Sequence, residues 1–184
     1  MRVGLISDLH GNFDGTAAAL RRLADCERIL CAGDIFNLYG GDPRVVDLLI
    51  ERDVEAVAGN HDVEFVRSAP PSARWEAVRA FLARLPSQRA LETDGPTMHL
   101  VHGAPWDPWP DPSTYLFPHM LADPRLADLA GVLVVGHTHL PYVRPAHARL
   151  LVISPGSCGV VDADGKLHAA IVDLPTLEVE AISF

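Results

Sequence analysis

Short apolar runs alternate with helix-patterned segments through the first half of the chain. Arg2–Ser7 (RVGLIS) is a nearly unbroken apolar run of the length of a buried strand. Residues 13–25 (FDGTAAALRRLAD) carry Ala and Leu at helical spacing and predict a helix. Arg28–Ala32 (RILCA) predicts a second strand. In residues 42–52 (DPRVVDLLIER), Asp42 suits a helix cap and Pro43 a first turn, so a second helix is expected. Val54–Ala58 predicts a third strand. Strand, helix, strand, helix, strand is the order of a parallel sheet with crossover helices.

Residues 62–85 read as helical, interrupted at SAPPSA, and residues 96–103 (PTMHLVHG) as a strand ending near His102. Residues 104–118 (APWDPWPDPSTYLFP) are rich in Pro and aromatics and predict a loop or lid. A short helix is expected over Pro124–Ala130, then a strand over Val132–Val135. Beyond it PYVRP, ARLLVISPGS, LHAAIVDL and LEVEAISF are strand-like and separated by turns such as DADG, which predicts a largely antiparallel C-terminal part. No repeat or linker divides the 184 residues, so a single domain over 1–184 is expected.

The ends of the strands carry the chemistry. Asp8 and His10 follow the first, Gly33 and Asp34 the second, and Gly59, Asn60, His61 and Asp62 the third. His102 and Gly103 follow the strand of residues 96–103, and Gly136, His137 and His139 follow Val132–Val135. In sheets of this type the carboxyl ends of the strands share one edge and build the site there. Seven oxygen and nitrogen ligands, Asp8, His10, Asp34, Asn60, His102, His137 and His139, are too many for one tetrahedral zinc. They suit two ions about 3.5–4 Å apart that share a carboxylate. Imidazole with carboxylate, and no Cys at these positions, points to borderline metals such as Mn, Fe, Zn, Co or Ni.

Composition narrows the classes. The net charge of −9 argues against a general nucleic-acid surface, which needs an excess of Lys and Arg. No apolar run reaches the roughly 18 residues of a membrane helix, and the first residues (MRVGLISDLHGN) lack the apolar core and cleavage site of a signal peptide. A cytoplasmic location is the expectation. Cys26, Cys31 and Cys158 are odd in number and form no C-x-x-C pair, so they read as free thiols, chiefly in the core. Ser157 and Cys158 have no His or Asp partner outside the ligand set, which disfavours a Ser or Cys nucleophile.

The ordered set DLH, GD, GNH, H and GHTH resembles the calcineurin-like metallophosphoesterase family, in particular its small single-domain bacterial and archaeal phosphodiesterases and phosphatases. The resemblance runs from Asp8 to the SPGS stretch at Ser154–Ser157. It implies an α/β fold, a four-layer sandwich of two mixed β-sheets flanked by helices. It implies one cation on Asp8, His10, Asp34 and His139, and a second on Asp34, Asn60, His102 and His137, with Asp34 bridging. Two divalent cations are implied as cofactors, manganese first and Fe, Zn, Ni or Co as alternatives. His61 is then the non-ligating histidine that faces the phosphate. After GD this chain has IFNLYGG, which departs from the pattern of some relatives and transfers no role to Asn37.

The activity so implied is a dinuclear metal-dependent phosphoesterase that hydrolyses phosphodiesters or phosphomonoesters. A water acidified between the cations would be the hydroxide nucleophile, and His61 would stabilise the transition state or protonate the leaving alkoxide. The expected partner is a small phosphate ester; no membrane is expected, and self-association is left open. The competing readings are a non-catalytic protein-interaction scaffold of the same fold, a phosphoprotein phosphatase, and a nuclease, which the acidic balance disfavours. Trp106, Trp109, Tyr115 and Phe117 either line the pocket or anchor their loop, and Asn12, Phe36 and Tyr39 are weaker substrate contacts. His99, His119, His147 and His168 are read as packing or surface residues, and Asp62 as a helix-start or surface residue.

Overall fold

A computed structural model of the chain describes residues 1–69, 72–93, 95–107, 111 and 113–184. Among these residues ten strands and four α-helices follow in the order β1 (Arg2–Ile6), α1 (Phe13–Arg22), β2 (Arg28–Cys31), α2 (Arg44–Glu51), β3 (Glu55–Ala56), α3 (Asn60–Ser68), α4 (Ala73–Leu82), β4 (Gln88–Leu91), β5 (Met98–Val101), β6 (Gly131–Val134), β7 (Pro141–His147), β8 (Leu150–Pro155), β9 (His168–Asp173) and β10 (Glu178–Ser183). They form two five-stranded sheets, ordered β10-β9-β1-β2-β3 and β4-β5-β6-β8-β7. Each sheet has three adjacent parallel strands, β1, β2 and β3 along one side of the first and β5, β6 and β8 at the centre of the second. The flanking strands are antiparallel.

Period-two alternation explains why the strands read as unbroken apolar runs. In β1, Val3 and Leu5 enter the layer between the sheets, with Leu30, Met98, Leu100, Val132, Val134 and Ile153. Ile6, with Ile29 and Cys31 of β2, faces the helices and meets Leu20, Leu23, Val45, Leu49 and Phe65. In the second sheet Val132 and Val134 face inward, while Leu133 and Val135 face an outer layer with Leu116, Leu121 and Leu126. A strand buried on both faces shows no polar alternation. The layer outside the second sheet includes Ala104, Trp106, Leu116 and two single-turn 3₁₀ helices, Pro118–Met120 and Pro124–Leu126, the second replacing the longer helix expected there.

Local signals agree with the elements. Asn12 caps α1 by accepting from the Gly15 N–H, and its amide donates to the Gly159 carbonyl. That structural duty replaces the substrate contact expected of it. Asp42 accepts from the Arg44 N–H at the start of α2. Trp75 and Phe81 pack on the helix-side core, and Trp75 meets Phe36 and Phe65 edge-on. Phe36 is fully buried in that cluster, so it is core and not a substrate contact. Strand β4 was not expected, because QRAL carries three exposed positions and no apolar run. The three cysteines are free, Cys31 and Cys158 buried and Cys26 half-buried. No helix among the described residues is long and apolar enough to cross a membrane.

Candidate metal centre

The carboxyl ends of β1, β2 and β3 in one sheet and of β5 and β6 in the other converge on a single rim. The side chains there form two clusters, joined by a third group of His10, Asp34 and His61 that shares a residue with each. Asp8, His10 and His139 each present a ligand atom within 4.8 Å of the others, and so do Asp34, His102 and His137. His10 Nε2 lies 3.1 Å from His139 Nε2, and His102 Nε2 lies 3.1 Å from both His137 Nδ1 and Asn60 Oδ1. Asp34 stands between the clusters, its Oδ2 3.8 Å from His10 Nε2 and 3.4 Å from His102 Nε2. All seven ligand residues expected from the sequence therefore meet at one place.

The backbone is contorted to bring them there. Among the described residues seven non-glycine positions have positive φ, and five are Asp8, His10, Asp34, His137 and His139, at +47° to +65°. Asp and His are among the side chains that tolerate this left-handed region best, and strain of this kind gathers at functional sites. Gly33 is itself left-handed at φ +90°. Gly59 is needed for space: a Cβ there would run into the Asp34 side chain and backbone.

Hydrogen bonds set the orientation of each group. The Ala32 carbonyl lies 2.7 Å from His102 Nδ1, which leaves Nε2 to face the cluster. The His61 N–H donates to Asp34 Oδ1, so Oδ2 is the free oxygen. The His137 N–H donates to Asp8, and Ser157 Oγ–H donates to the Asp8 carbonyl. Asp62 is buried at the start of α3, where the Gly59, Ile35 and Phe36 N–H groups donate to its carboxylate. It ties the end of β2 to the end of β3, the helix-start role. Burial, with the Asp34 charge close by, pushes it up to about 7.

The protonation states follow from these neighbours. Burial opposes charge on His102, but Asp34 beside it prevails and raises it to about 9. Burial likewise opposes charge on Asp34, and His102 and His10 still hold it well below the ordinary carboxylate value. Asp8 raises His139 through a hydrogen bond, and burial lowers His10. Facing imidazole nitrogens 3.1 Å apart, with a carboxylate oxygen between the two sets, need a shared proton or a cation. The donors, imidazole, carboxylate and one amide oxygen, fit borderline divalent ions, and no thiolate intrudes.

A cation held here would have to displace the protons on His102 and His139, since only a neutral imidazole is a ligand. Both protons are held more tightly than usual, so affinity for Mn²⁺ is expected to rise from pH 6 to pH 8, by about tenfold per pH unit for the His102 proton alone. Calorimetric titration of metal-free protein at several pH values measures this; a flat profile would exclude the two histidines as ligands.

The family model described as the calcineurin-like phosphoesterase superfamily domain matches residues 1–176. The chain belongs to that superfamily. Its members use divalent metals. An uncharacterized protein of Methanocaldococcus jannaschii is 26% identical over 215 residues, which cover 98% of this chain and 86% of the relative. Among solved structures, a metallophosphoesterase from Sphaerobacter thermophilus superposes with a TM-score of 0.78 at 24% identity, covering 100% of this chain and 88% of that one. A structure described as a novel archaeal phosphodiesterase superposes with a TM-score of 0.67 at 20% identity over the whole of both chains.

In this calcineurin-like chain the cluster opens into a cleft of about 480 Å³ lined by His10, Asp34, Asn37, His61, Tyr115, His137, Thr138, His139 and Val160. None of these is Lys or Arg. His61 meets His10 edge-on, ring centroids 4.9 Å apart, and its Nδ1 accepts from the Leu38 N–H at 3.4 Å. The Pro-rich segment divides its aromatics. Trp106 anchors the loop beneath the Arg125 guanidinium, 3.7 Å from the ring centroid, whereas Tyr115 lines the cleft. Trp109 lies outside the described residues, as do the two prolines of SAPPSA. His99, His119 and His147 stay away from the cluster, while His168, expected at the surface, is buried against Asp162 at 2.7 Å. Of the cleft-lining residues without a role in the sequence reading, Thr138 is the third residue of GHTH and Val160 stands three residues after SPGS, so only proximity to a motif marks them.

Proposed function

We propose that the chain is a dinuclear metal-dependent phosphoesterase acting on small phosphodiesters or phosphomonoesters. One cation is held by Asp8, His10, Asp34 and His139, the other by Asp34, Asn60, His102 and His137, with Asp34 bridging. Manganese is the first choice, then Fe, Zn, Ni or Co. The observation that carries this reading is the position of Asp34 Oδ2, between two imidazole clusters that arrive from both sheets. Such a pair of ions, when bound, supplies an acidified water as nucleophile and positive charge for the phosphoryl oxygens.

The chain's own residues do the rest. Among the described residues no Lys or Arg lines the cleft, so a phosphate ester relies on bound cations and on imidazole for its counter-charge. The Ala32 carbonyl and the His61 N–H hold His102 and Asp34 in ligating orientation before any ion arrives. His61, outside both ligand sets, lines the cleft and would serve the departing alkoxide as an acid in its imidazolium form, with both ring nitrogens protonated. The archaeal phosphodiesterase of similar fold supports the phosphoester class.

The test is a panel of mono- and diester phosphates offered to metal-stripped protein restored with Mn, Ni, Zn, Co or Mg. Turnover is expected only with added metal, and a preference for one ester class assigns the substrate type. Undiminished turnover without metal would contradict the mechanism, and no turnover with any metal would favour the scaffold reading.

A further inference from the structure

Tyr115 lies flat against a proposed ligand. Its ring and that of His137 have centroids 4.1 Å apart and planes 17° apart. Phe117 stacks beside Tyr115 at 5.4 Å and 21°. Between them Leu116 is fully buried in the outer core, and Tyr142 Oη–H donates to its carbonyl at 2.5 Å. Phe117 and Leu116 therefore hold the segment so that Tyr115 stays on the cleft side, as period-two alternation of an extended chain requires. Trp106 under Arg125 pins the other end of the same loop.

His137 needs such a support. Its ligating atom is Nδ1, 3.1 Å from His102 Nε2, and its lone pair lies in the plane of the ring. Rotation about the Cβ–Cγ bond would carry that lone pair away from the cluster. A second ring packed face to face blocks that rotation and keeps water from that face. We propose that Tyr115 is a positioning residue for the metal site: its ring fixes the plane of His137, as the Ala32 carbonyl fixes that of His102. The role belongs to the aromatic face and not to the hydroxyl, and it serves the cation held by Asp34, Asn60, His102 and His137. It rests on the two-cation reading.

The experiment titrates metal-free wild-type, Tyr115→Phe, Tyr115→Leu and Tyr115→Ala proteins with Mn²⁺ by calorimetry, with thermal melts of each metal-free protein. Tyr115 is 36% exposed, so truncation leaves the core intact. Phe should bind both ions within about twofold of wild type. Leu fills the space but offers no flat face, and both Leu and Ala should weaken one site by about 10–100-fold, the range for groups that orient a ligand, with the other site unchanged. Wild-type binding at both sites in the Leu and Ala variants would overturn the proposal. So would a loss in Phe equal to that in Ala, which would give the role to the hydroxyl, or an equal loss at both sites with a lowered melt, which would mean only loop packing. A wild-type protein that binds fewer than two ions would overturn the two-cation reading first and this role with it.

Discussion

Asp34→Asn is expected to empty the site: both cations should be lost and turnover should fall by more than a hundredfold. Asp34 Oδ2 faces both imidazole clusters, at 3.8 Å and 3.4 Å, so no other ligand serves both. Only Asp8 and Asp34 bring negative charge to the proposed ligand set, and the substitution removes half of it. Changes to groups that merely orient ligands already cost about 10–100-fold in metal affinity or activity; removing the bridging charge should exceed that. Asn is isosteric and can still accept from the His61 N–H, so the fold should persist. Elemental analysis after gel filtration gives the metal content. An independent sign comes from His102 in the metal-free protein: Asp34 is what raises it to about 9, against burial that would lower it. In the variant the Asp34 charge is gone while Asp8 and the Ala32 carbonyl remain, and NMR titration should find His102 well below its wild-type value. Retention of two cations by the variant would show that Asp34 does not bridge.

The sequence exposed most of this site because its ligands follow apolar runs. Each of the five relevant runs ends in a polar signature, and the structure places all five ends at one rim. Two features were hidden. The rim belongs to two sheets, β1–β3 in one and β5–β6 in the other, and periodicity within a strand says nothing about which sheet it joins. The edge strand β4 intervenes between them and carries no apolar pattern, since an edge strand with one face in water needs few apolar side chains.

Contacts across the chain were the other blind spot. The left-handed conformations of Asp8, His10, Asp34, His137 and His139 are imposed by their surroundings, such as the Asp8 N–H bond to Gly33 and the Gly159 N–H bond to Asp8. Asn12 was expected near substrate because it follows a ligand strand, yet its side chain is spent on the α1 cap and on Gly159, 147 residues away. Phe36 misled for the same reason: closeness to Asp34 in sequence carries no direction, and its ring points into the helix-side core. Tyr115 stands 22 positions before His137 in a Pro-rich stretch, and no spacing rule connects the two.

His61→Ala should leave both cations bound while lowering kcat by about 10²–10⁴-fold, the usual contribution of a general acid. The side chain and the backbone of this residue have separable duties. Its N–H donates to Asp34 Oδ1, and alanine retains that bond, so the bridging carboxylate keeps its orientation. What alanine lacks is the imidazole, which lines the cleft beside His10 and in its imidazolium form can give up a proton. The size of the loss should depend on the leaving group. An alkyl ester departs as a strongly basic alkoxide and needs that proton; a nitrophenyl ester departs as a weakly basic phenolate and needs it far less. Wild-type and variant rates on bis-nitrophenyl phosphate and on an alkyl diester should therefore diverge, with the alkyl ester suffering the larger drop. Equal losses on both would mean that His61 stabilises phosphoryl charge without giving up its proton. Unchanged rates, with metal content at the wild-type level, would remove it from the chemistry altogether.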